Sequence, residues 1–394
     1  MKVFYINIES FGNMDFIEAL SQFRNHGAKT DIYLYSFVNH GERDDPLKEE
    51  DMIREIRKVS PDFAFSFNYY PIVSKVCQKV GIKYISWVYD NPHIALFSYT
   101  LINSCNEVFL FDSKMYEDFA SQGIKTVHYL PLAASVKRLR DINVTEEIKD
   151  RYSSQISFVG SLYTEEHNLY DRMAEKLDKY TLGYLDGLMY SQMQIQGYNF
   201  IENNLSKDII SSMYKALPLE VNADGAESQI YIYADYVINR KITGIERFET
   251  LKKIGEKWKL DLYTKDVNVT APGVVNHGIA KYYEEMPYIF KCTDINLNIT
   301  LRSIQKGIPL RCFDIMGCGG FLISNYQEDF LKFFESGKDY VYYDSINDLR
   351  DKISYYLANP DKRYDISQNA YNKICKEHTF DIRLEQIIKC SNII

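Results

Sequence analysis

Residues 294–324, DINLNITLRSIQKGIPLRCFDIMGCGGFLIS, decide the fold. They read as a strand from Asp294 to Ile299, a polar loop holding Lys306 and Gly307, a short helix opening at Pro309, a break at Gly319 and Gly320, and a second strand to Ser324. Proline is preset for a first helical position, where its missing N–H would be unsatisfied anyway. In an open α/β sheet, ligands bind at the carboxyl ends of strands, and a helix N-terminus there offers N–H groups and partial positive charge to an anion. Helical spacing puts Arg311, Asp314 and Cys318 on one stripe, and Leu310, Phe313 and Gly317 on another that packs on the sheet. A cation and a carboxylate one turn apart suit a phosphate and a hydroxyl pair. The alternative is an i, i+3 Arg–Asp ion pair on a solvated face.

The run PLRCFDIMGCGGFLIS, followed by GKDYVYY, DLRDKISYYLANPDKR and HTFDIRLEQII, resembles the C-terminal half of the GT-B glycosyltransferases. The similarity points to the group-1-like branch that includes the spore-maturation CgeB-type proteins, and it covers about the last 140 residues. It implies that Asp314 binds a nucleotide ribose, and that the helix start and Gly319–Gly320 lie by the diphosphate. Retaining members of the wider group carry a second acid eight positions before the ribose-binding one, where this chain has Lys306. A lysine meets a phosphate but cannot do that acid's work.

A chain of 394 residues suits two domains of ordinary size. Its 46% hydrophobic and 25% charged residues match a globular protein. A net charge of −8 without a Lys/Arg cluster argues against nucleic acid. No signal peptide is read in MKVFYINIESFGNMDF, and no stretch is long and apolar enough for a membrane span. Seven scattered cysteines, without C-x-x-C or zinc spacing, fit reduced thiols in a cytoplasm, with no disulfide and no structural metal.

Residues 1–135 alternate strand-like runs (KVFYINI, DIYLYSF, FAFSFN, YISWVYD, EVFLFD, TVHYLPL) with helices expected near 14–26, 48–58, 71–80, 92–104 and 114–122. This predicts a doubly wound Rossmann-like domain. It carries no G-x-G-x-x-G or P-loop, so neither NAD nor a P-loop nucleotide is indicated. Glu9 follows the first strand, and Asp90 follows the fourth in a segment that resembles the W-x-x-D-x-P turn often joined to this C-terminal half. Asp90 is the first candidate for a general base and Glu9 the second, with His93 competing. The alternative for Asp90 is to cap a helix starting at Pro92.

Residues 136–152 read as an interdomain linker and 153–375 as a second Rossmann-like domain, with a helical elaboration over about 164–257 that shapes an acceptor side, forms a dimer contact or simply covers the sheet. In this domain Gly160 and Ser161 end the strand QISFVGS, where backbone can approach a phosphate. Thr264 ends LDLYT, and Asn298 and Arg302 close the central strand within reach of a donor sugar or phosphate. The resemblance places the loop Asn276–His277–Gly278 beside the nucleotide base, and residues 376–394 as a tail crossing back to the first domain. The expectation is an α/β, GT-B architecture of two Rossmann-like domains facing a cleft. The expected activity is metal-independent transfer of a sugar from a nucleotide sugar, a UDP-sugar foremost, to an acceptor hydroxyl. No other cofactor is expected, and Asp-x-Asp is absent from the chain. Two readings stay open beside it: a sugar-nucleotide epimerase, and a non-catalytic nucleotide-sugar or carbohydrate-binding subunit.

Overall fold

The computed structural model describes residues 1–25, 27–164 and 168–393. The chain divides into two units: residues 1–135, 221–227 and those from Glu377 onward in the first, 136–220 and 228–376 in the second.

The first unit is built on β1 (Lys2–Asn7), β2 (Asp31–Ser36), β3 (Phe63–Phe67), β4 (Lys83–Val88), β5 (Asn106–Leu110) and β6 (Val127–Tyr129). All pair in parallel, in the order β2-β1-β3-β4-β5-β6. Every residue of β3 is buried, as a strand covered on both faces requires. The helix Pro46–Val59 starts with its proline at the first turn, while the Asp45 carboxylate accepts from the N–H groups of Leu47 and Lys48. The strand order reverses between β1 and β3, which makes that crevice the unit's topological switch point.

The helix expected over 92–104 does not form. Two single 3₁₀ turns, Ile94–Phe97 and Tyr99–Ile102, stand there, divided by an extended Ser98. The cause is tertiary: the N–H of Tyr99 donates to the Asp224 carbonyl and that of Ala226 to the Phe97 carbonyl, so the backbone is spent on pairing with residues 224–226. That segment is pinned by the buried Arg43, which pairs with Glu227 at 3.0 Å and Asp224 at 3.2 Å. The C-terminal helix Phe380–Cys390 also belongs to this unit. Phe380 sits edge-on to Phe16 and Trp87, beneath Gly12, and Arg383 Nε donates to the Pro131 carbonyl at 2.8 Å.

The second unit holds β7 (Ser154–Val159), β8 (Leu260–Tyr263), β9 (Val274–Asn276), β10 (Thr293–Asn298), β11 (Leu322–Asn325) and β12 (Val341–Tyr343). This sheet too is parallel throughout, in the order β9-β8-β7-β10-β11-β12. Its switch point lies between β7 and β10. The stretch read as a linker forms two short helices here, Val136–Arg140 and Glu146–Tyr152. The stretch 164–257, of which residues 165–167 lie outside the described residues, is helical as expected and packs a core of its own around Tyr170, Leu185, Met213 and Tyr233. Residues 221–227 depart from it to join the first unit.

Candidate functional site

The switch point of the second unit gathers cations. Arg311 lies in the first turn of the helix Leu310–Gly317, for which Pro309 is the N-cap residue, one position earlier than its expected place inside the helix. Its Nη1 donates to Asn298 Oδ1 at 3.0 Å. Asn298 is fully buried at the end of β10, and its Nδ2 donates to Thr300 Oγ1 and Ser324 Oγ, both at 2.9 Å, which leaves Oδ1 aimed at the guanidinium. Across the crevice Gly160 has φ +154°, and a Cβ there would collide with the Arg311 guanidinium. Only glycine lets the two ends meet.

A second arginine completes the group, one that the sequence reading passed over. Arg247, on the helix Asn239–Gly255, is 3% exposed. Its Nε and Nη2 donate to the Ile299 carbonyl at 2.9 and 2.6 Å, and Nη1 to the Ser161 carbonyl at 2.5 Å. It thereby ties together the chain leaving β7 and the chain leaving β10. Both guanidiniums lie against the Phe158 ring, at 5.5 Å for Arg247 and 5.4 Å for Arg311. Among the described residues neither has a salt-bridge partner. Burial lowers the pKa of Arg311 and brings that of Arg247 down to about 10, with the charge of Arg311 adding to the second shift. Two buried cations without a salt-bridge partner among the described residues, beside a helix N-terminus, form an arrangement that an anion would neutralise.

Asp314, 5% exposed, sits one turn beyond Arg311, yet the two do not pair: Tyr282 Oη donates to Asp314 Oδ1 at 3.2 Å. The Tyr282 and Tyr283 rings carry Arg138 at 5.4 and 5.1 Å. The ion pair open to Arg311 and Asp314 in the sequence is therefore not made, and both groups keep separate partners.

Other expected donor residues are placed differently. Arg302 is bound by Glu246 through Nε at 2.6 Å and through Nη2, and its Nη1 donates to the Ile195 carbonyl, so its charge is spent inside the unit. Lys306 pairs with Glu328 at 3.3 Å, and the neighbouring Gly307 is buried. Gly319 and Gly320 close the helix at its far end, on the amino edge of β11, away from Gly160 and Asn298. Gly320 answers to packing there, since a Cβ would stand 2.7 Å from the Phe290 carbonyl oxygen. Thr264, buried, follows β8, and the His277 ring stacks on Tyr263 with Nε2 at 2.7 Å from Asp261 Oδ1. Gly278, at φ +78°, donates its N–H to Asn276 Oδ1.

In the first unit the carboxyl edge is lined by carboxamides and acids. Asn68 follows β3, and its Nδ2 donates to Asp90 Oδ2 at 2.7 Å while its Oδ1 accepts from the N–H groups of Tyr89 and Asp90. Asp90 thus does not cap the turn at Ile94, which has no side-chain cap. The surrounding protein raises the Asp90 pKa against the opposing pull of His93 and Asn68, and burial lowers that of His93, whose Nε2 lies 2.9 Å from the Tyr69 carbonyl oxygen. Glu9, exposed, donates its N–H to Asn7 Oδ1 at the end of β1. Glu9, Asn68 and Tyr163 all have positive φ, at 53°, 58° and 56°, and all three follow strands that flank a switch point. Strain of this kind persists where surrounding structure holds it, commonly at ligand sites.

The family profile described as glycosyl transferase-like matches residues 239–389, which include Arg247, Asn298, Arg311 and Asp314. Comparison with curated protein sequences gave no significant match. Among solved structures, a glycosyltransferase from Rickettsia africae ESF-5 is 10% identical with a TM-score of 0.55, over 100% of this chain and 98% of that one. Anabaena Alr3699/HepE, solved with UDP and glucose, is 10% identical with a TM-score of 0.54 over 100% of both chains. WaaG, a glycosyltransferase involved in lipopolysaccharide biosynthesis, is 10% identical with a TM-score of 0.53 over 99% of each. At such identities the likeness is one of fold. The chain therefore has the GT-B fold of two parallel-sheet Rossmann-like domains, and over residues 239–389 it is similar to the glycosyl transferase-like family.

Proposed function

We propose that the chain is a glycosyltransferase that takes a sugar from a nucleotide sugar, a UDP-sugar foremost, and passes it to an acceptor hydroxyl. The observation that carries this is the pair of buried guanidiniums, Arg247 and Arg311, without carboxylate partners among the described residues, at the switch point of the second sheet. Together with the helix start at Leu310 they would neutralise a departing diphosphate, the work a metal ion does elsewhere, so the reaction is proposed to need no metal. Asp314 would hold the ribose hydroxyls. In an inverting reaction the base would come from the first unit, Asp90 before Glu9; the Asn68 bond that holds the Asp90 carboxylate at the carboxyl edge of the sheet supports its place. In a retaining reaction neither is needed. The CgeB-type affiliation, supported by the motifs of the last 140 residues, and a cytoplasmic location, where nucleotide sugars and free thiols coexist, belong to the same proposal. No described helix is long and apolar enough to cross a membrane.

The test is a thermal-shift panel of UDP, GDP, dTDP, CMP and their sugars in EDTA, on wild type and Asp314→Ala. One nucleotide should stabilise the wild type by about 2.7 kcal/mol at a hundredfold excess over its dissociation constant, and the variant far less. Failure of every nucleotide would remove the proposal. Release of free nucleotide that depends on an added acceptor then separates transfer from binding alone.

A further inference from the structure

Three neighbouring strands of the first sheet carry a diagonal of charged side chains that the proposed transfer does not use. Glu107 on β5 pairs in register with Ile85 on β4, two residues beyond Lys83, and His128 on the edge strand β6 pairs with Phe109, two residues beyond Glu107. Side chains two apart point to one face, so Lys83, Glu107 and His128 cross that face together. Glu107 Oε1 accepts from Lys83 Nζ at 2.8 Å, and Oε2 lies 2.7 Å from His128 Nε2. The C-terminal helix Phe380–Cys390 ends beside them, where Lys83 Nζ also donates to the Ser391 carbonyl at 2.6 Å. That bond holds the helix end, with Cys390 Sγ 3.4 Å from His128 Nδ1.

Of the seven cysteines Cys390 alone is exposed; four are buried and two half-buried. The proton positions around it follow from charge. Burial works against the Glu107 carboxylate, but the bonds from His128 and Lys83 outweigh it and lower its pKa, so the carboxylate is ionised and only accepts. His128 Nε2 then carries the ring hydrogen, and the lone pair is on Nδ1, facing the thiol. Burial and the Glu107 charge hold the Cys390 thiol above its ordinary value, with Lys83 opposing, so the resting sulfur keeps its proton. Its way off is Nδ1. An imidazolium formed there is stabilised by the Glu107 carboxylate and by the partial negative charge at the helix C-terminus. Nucleophile, base and orienting acid thus stand in the order that displacement by a thiol requires.

We propose that Cys390 is a reactive thiol, activated by His128 and Glu107 for exchange with low-molecular-weight disulfides, and so a site of covalent modification. In the step, Sγ attacks one sulfur of the disulfide while its proton passes to His128 Nδ1. A new S–S bond forms to Cys390, the old one breaks, and the departing thiolate takes the proton from the imidazolium. One thiol and one disulfide enter, and one of each leaves. The adduct stands at one end of the helix whose other end, Phe380, completes the aromatic cluster with Phe16 and Trp87. None of these residues has a part in the donor or base assignments, so the inference does not rest on the proposed function.

The experiment treats the full chain at neutral pH with the uncharged probe hydroxyethyl disulfide and follows the adduct at each cysteine by peptide mass mapping. The same chain unfolded in urea gives the rate of an exposed thiol without assistance. Native Cys390 should be modified before the other six cysteines and about tenfold or more faster than in urea, a modest share of what a positioned general base supplies. His128→Gln should lose at least that factor. Glu107→Gln, which leaves the imidazole in place and removes the charge behind it, should also slow the reaction. The inference is overturned if native Cys390 reacts no faster than in urea, which would make it merely an exposed thiol, or if His128→Gln reacts at the wild-type rate. Should His128→Gln lack the native unfolding transition, Glu107→Gln is held to the same criterion.

Discussion

Arg311→Met should separate stability from binding. Methionine keeps much of the side chain's bulk and removes its charge. On one side of the balance, Asn298 Oδ1 loses its donor while buried, which costs about 1–3 kcal/mol, and the contact with Phe158 loses a further 0.5–2 kcal/mol by the usual cation–π figures, roughly. On the other side, a buried guanidinium without a carboxylate partner disappears, and with it the repulsion from Arg247. Relief of that kind is worth several kcal/mol. The unliganded variant should therefore be as stable as wild type to within about 1 kcal/mol, or more stable. Binding should move the other way. Two charge-assisted hydrogen bonds to a diphosphate, at about 1.5 kcal/mol or more each, correspond to at least ~100-fold in affinity. UDP at a hundredfold excess over the wild-type dissociation constant would then stabilise wild type by about 2.7 kcal/mol and the variant by about 0.4 kcal/mol. The assay is urea unfolding with and without UDP. It is followed by the fluorescence of Trp258 in a Trp87→Phe background, because the chain's two tryptophans lie one in each unit. Loss of more than about 3 kcal/mol without ligand would show the arginine to be a structural group, and an undiminished UDP effect would refute the anion site. Arg247→Met is the companion variant: it gains the same relief from repulsion but breaks three bonds to the Ile299 and Ser161 carbonyls, so before any ligand is added it should be less stable than Arg311→Met by about 1–2 kcal/mol.

Three further outcomes are expected. Burial, with Asp90 opposing, holds His93 below its ordinary 6.5; the folded state disfavours the protonated ring, so this stability is present above pH 6.5 and is lost as pH falls through the folded-state value. Replacing His93 with glutamine should make the first unit's unfolding free energy less dependent on pH below 6.5, and an unchanged acid slope would show that another group titrates. Glu227→Ala leaves Arg43 buried with only the more exposed Asp224, and by the usual cost of breaking such a pair it should lose about 3–5 kcal/mol of local stability, read as new proteolytic cleavage within residues 217–228. Gly320→Ala meets the Phe290 carbonyl and should destabilise the second unit by more than about 1 kcal/mol while leaving UDP affinity untouched; weakened binding without a stability loss would place that glycine at the ligand after all.

The alternation of strands and helices was legible over most of the chain, because buried parallel strands such as FAFSF and YISWV are short apolar runs. Arg311 and Asp314 were legible as chemistry because they sit one turn apart after a strand. Arg247 was not: it lies 52 residues from the Ile299 carbonyl it holds, in the interior of a helix where an arginine usually means solvent. Arg302 looked like a ligand group for the complementary reason, since nothing local announces that Glu246 will be beside it. The helix expected over 92–104 failed at Ser98, where pairing with a segment more than a hundred residues away outweighed local propensity. Gly319 and Gly320 were assigned to the ligand by resemblance, and their position at the helix C-terminus follows from counting turns: eight residues carry the chain about 12 Å from the end where Arg311 stands.

The first unit is assembled from three separated pieces of chain, so the polypeptide passes between units four times, after residues 135, 220, 227 and 376. On a ribosome its sheet emerges first, yet the aromatic cluster around Phe16 and Trp87 waits for Phe380 more than 290 residues later, and Arg43 waits for Glu227. The first unit is thus completed after the second. Until then its apolar surface is exposed to whatever else the nascent chain can meet.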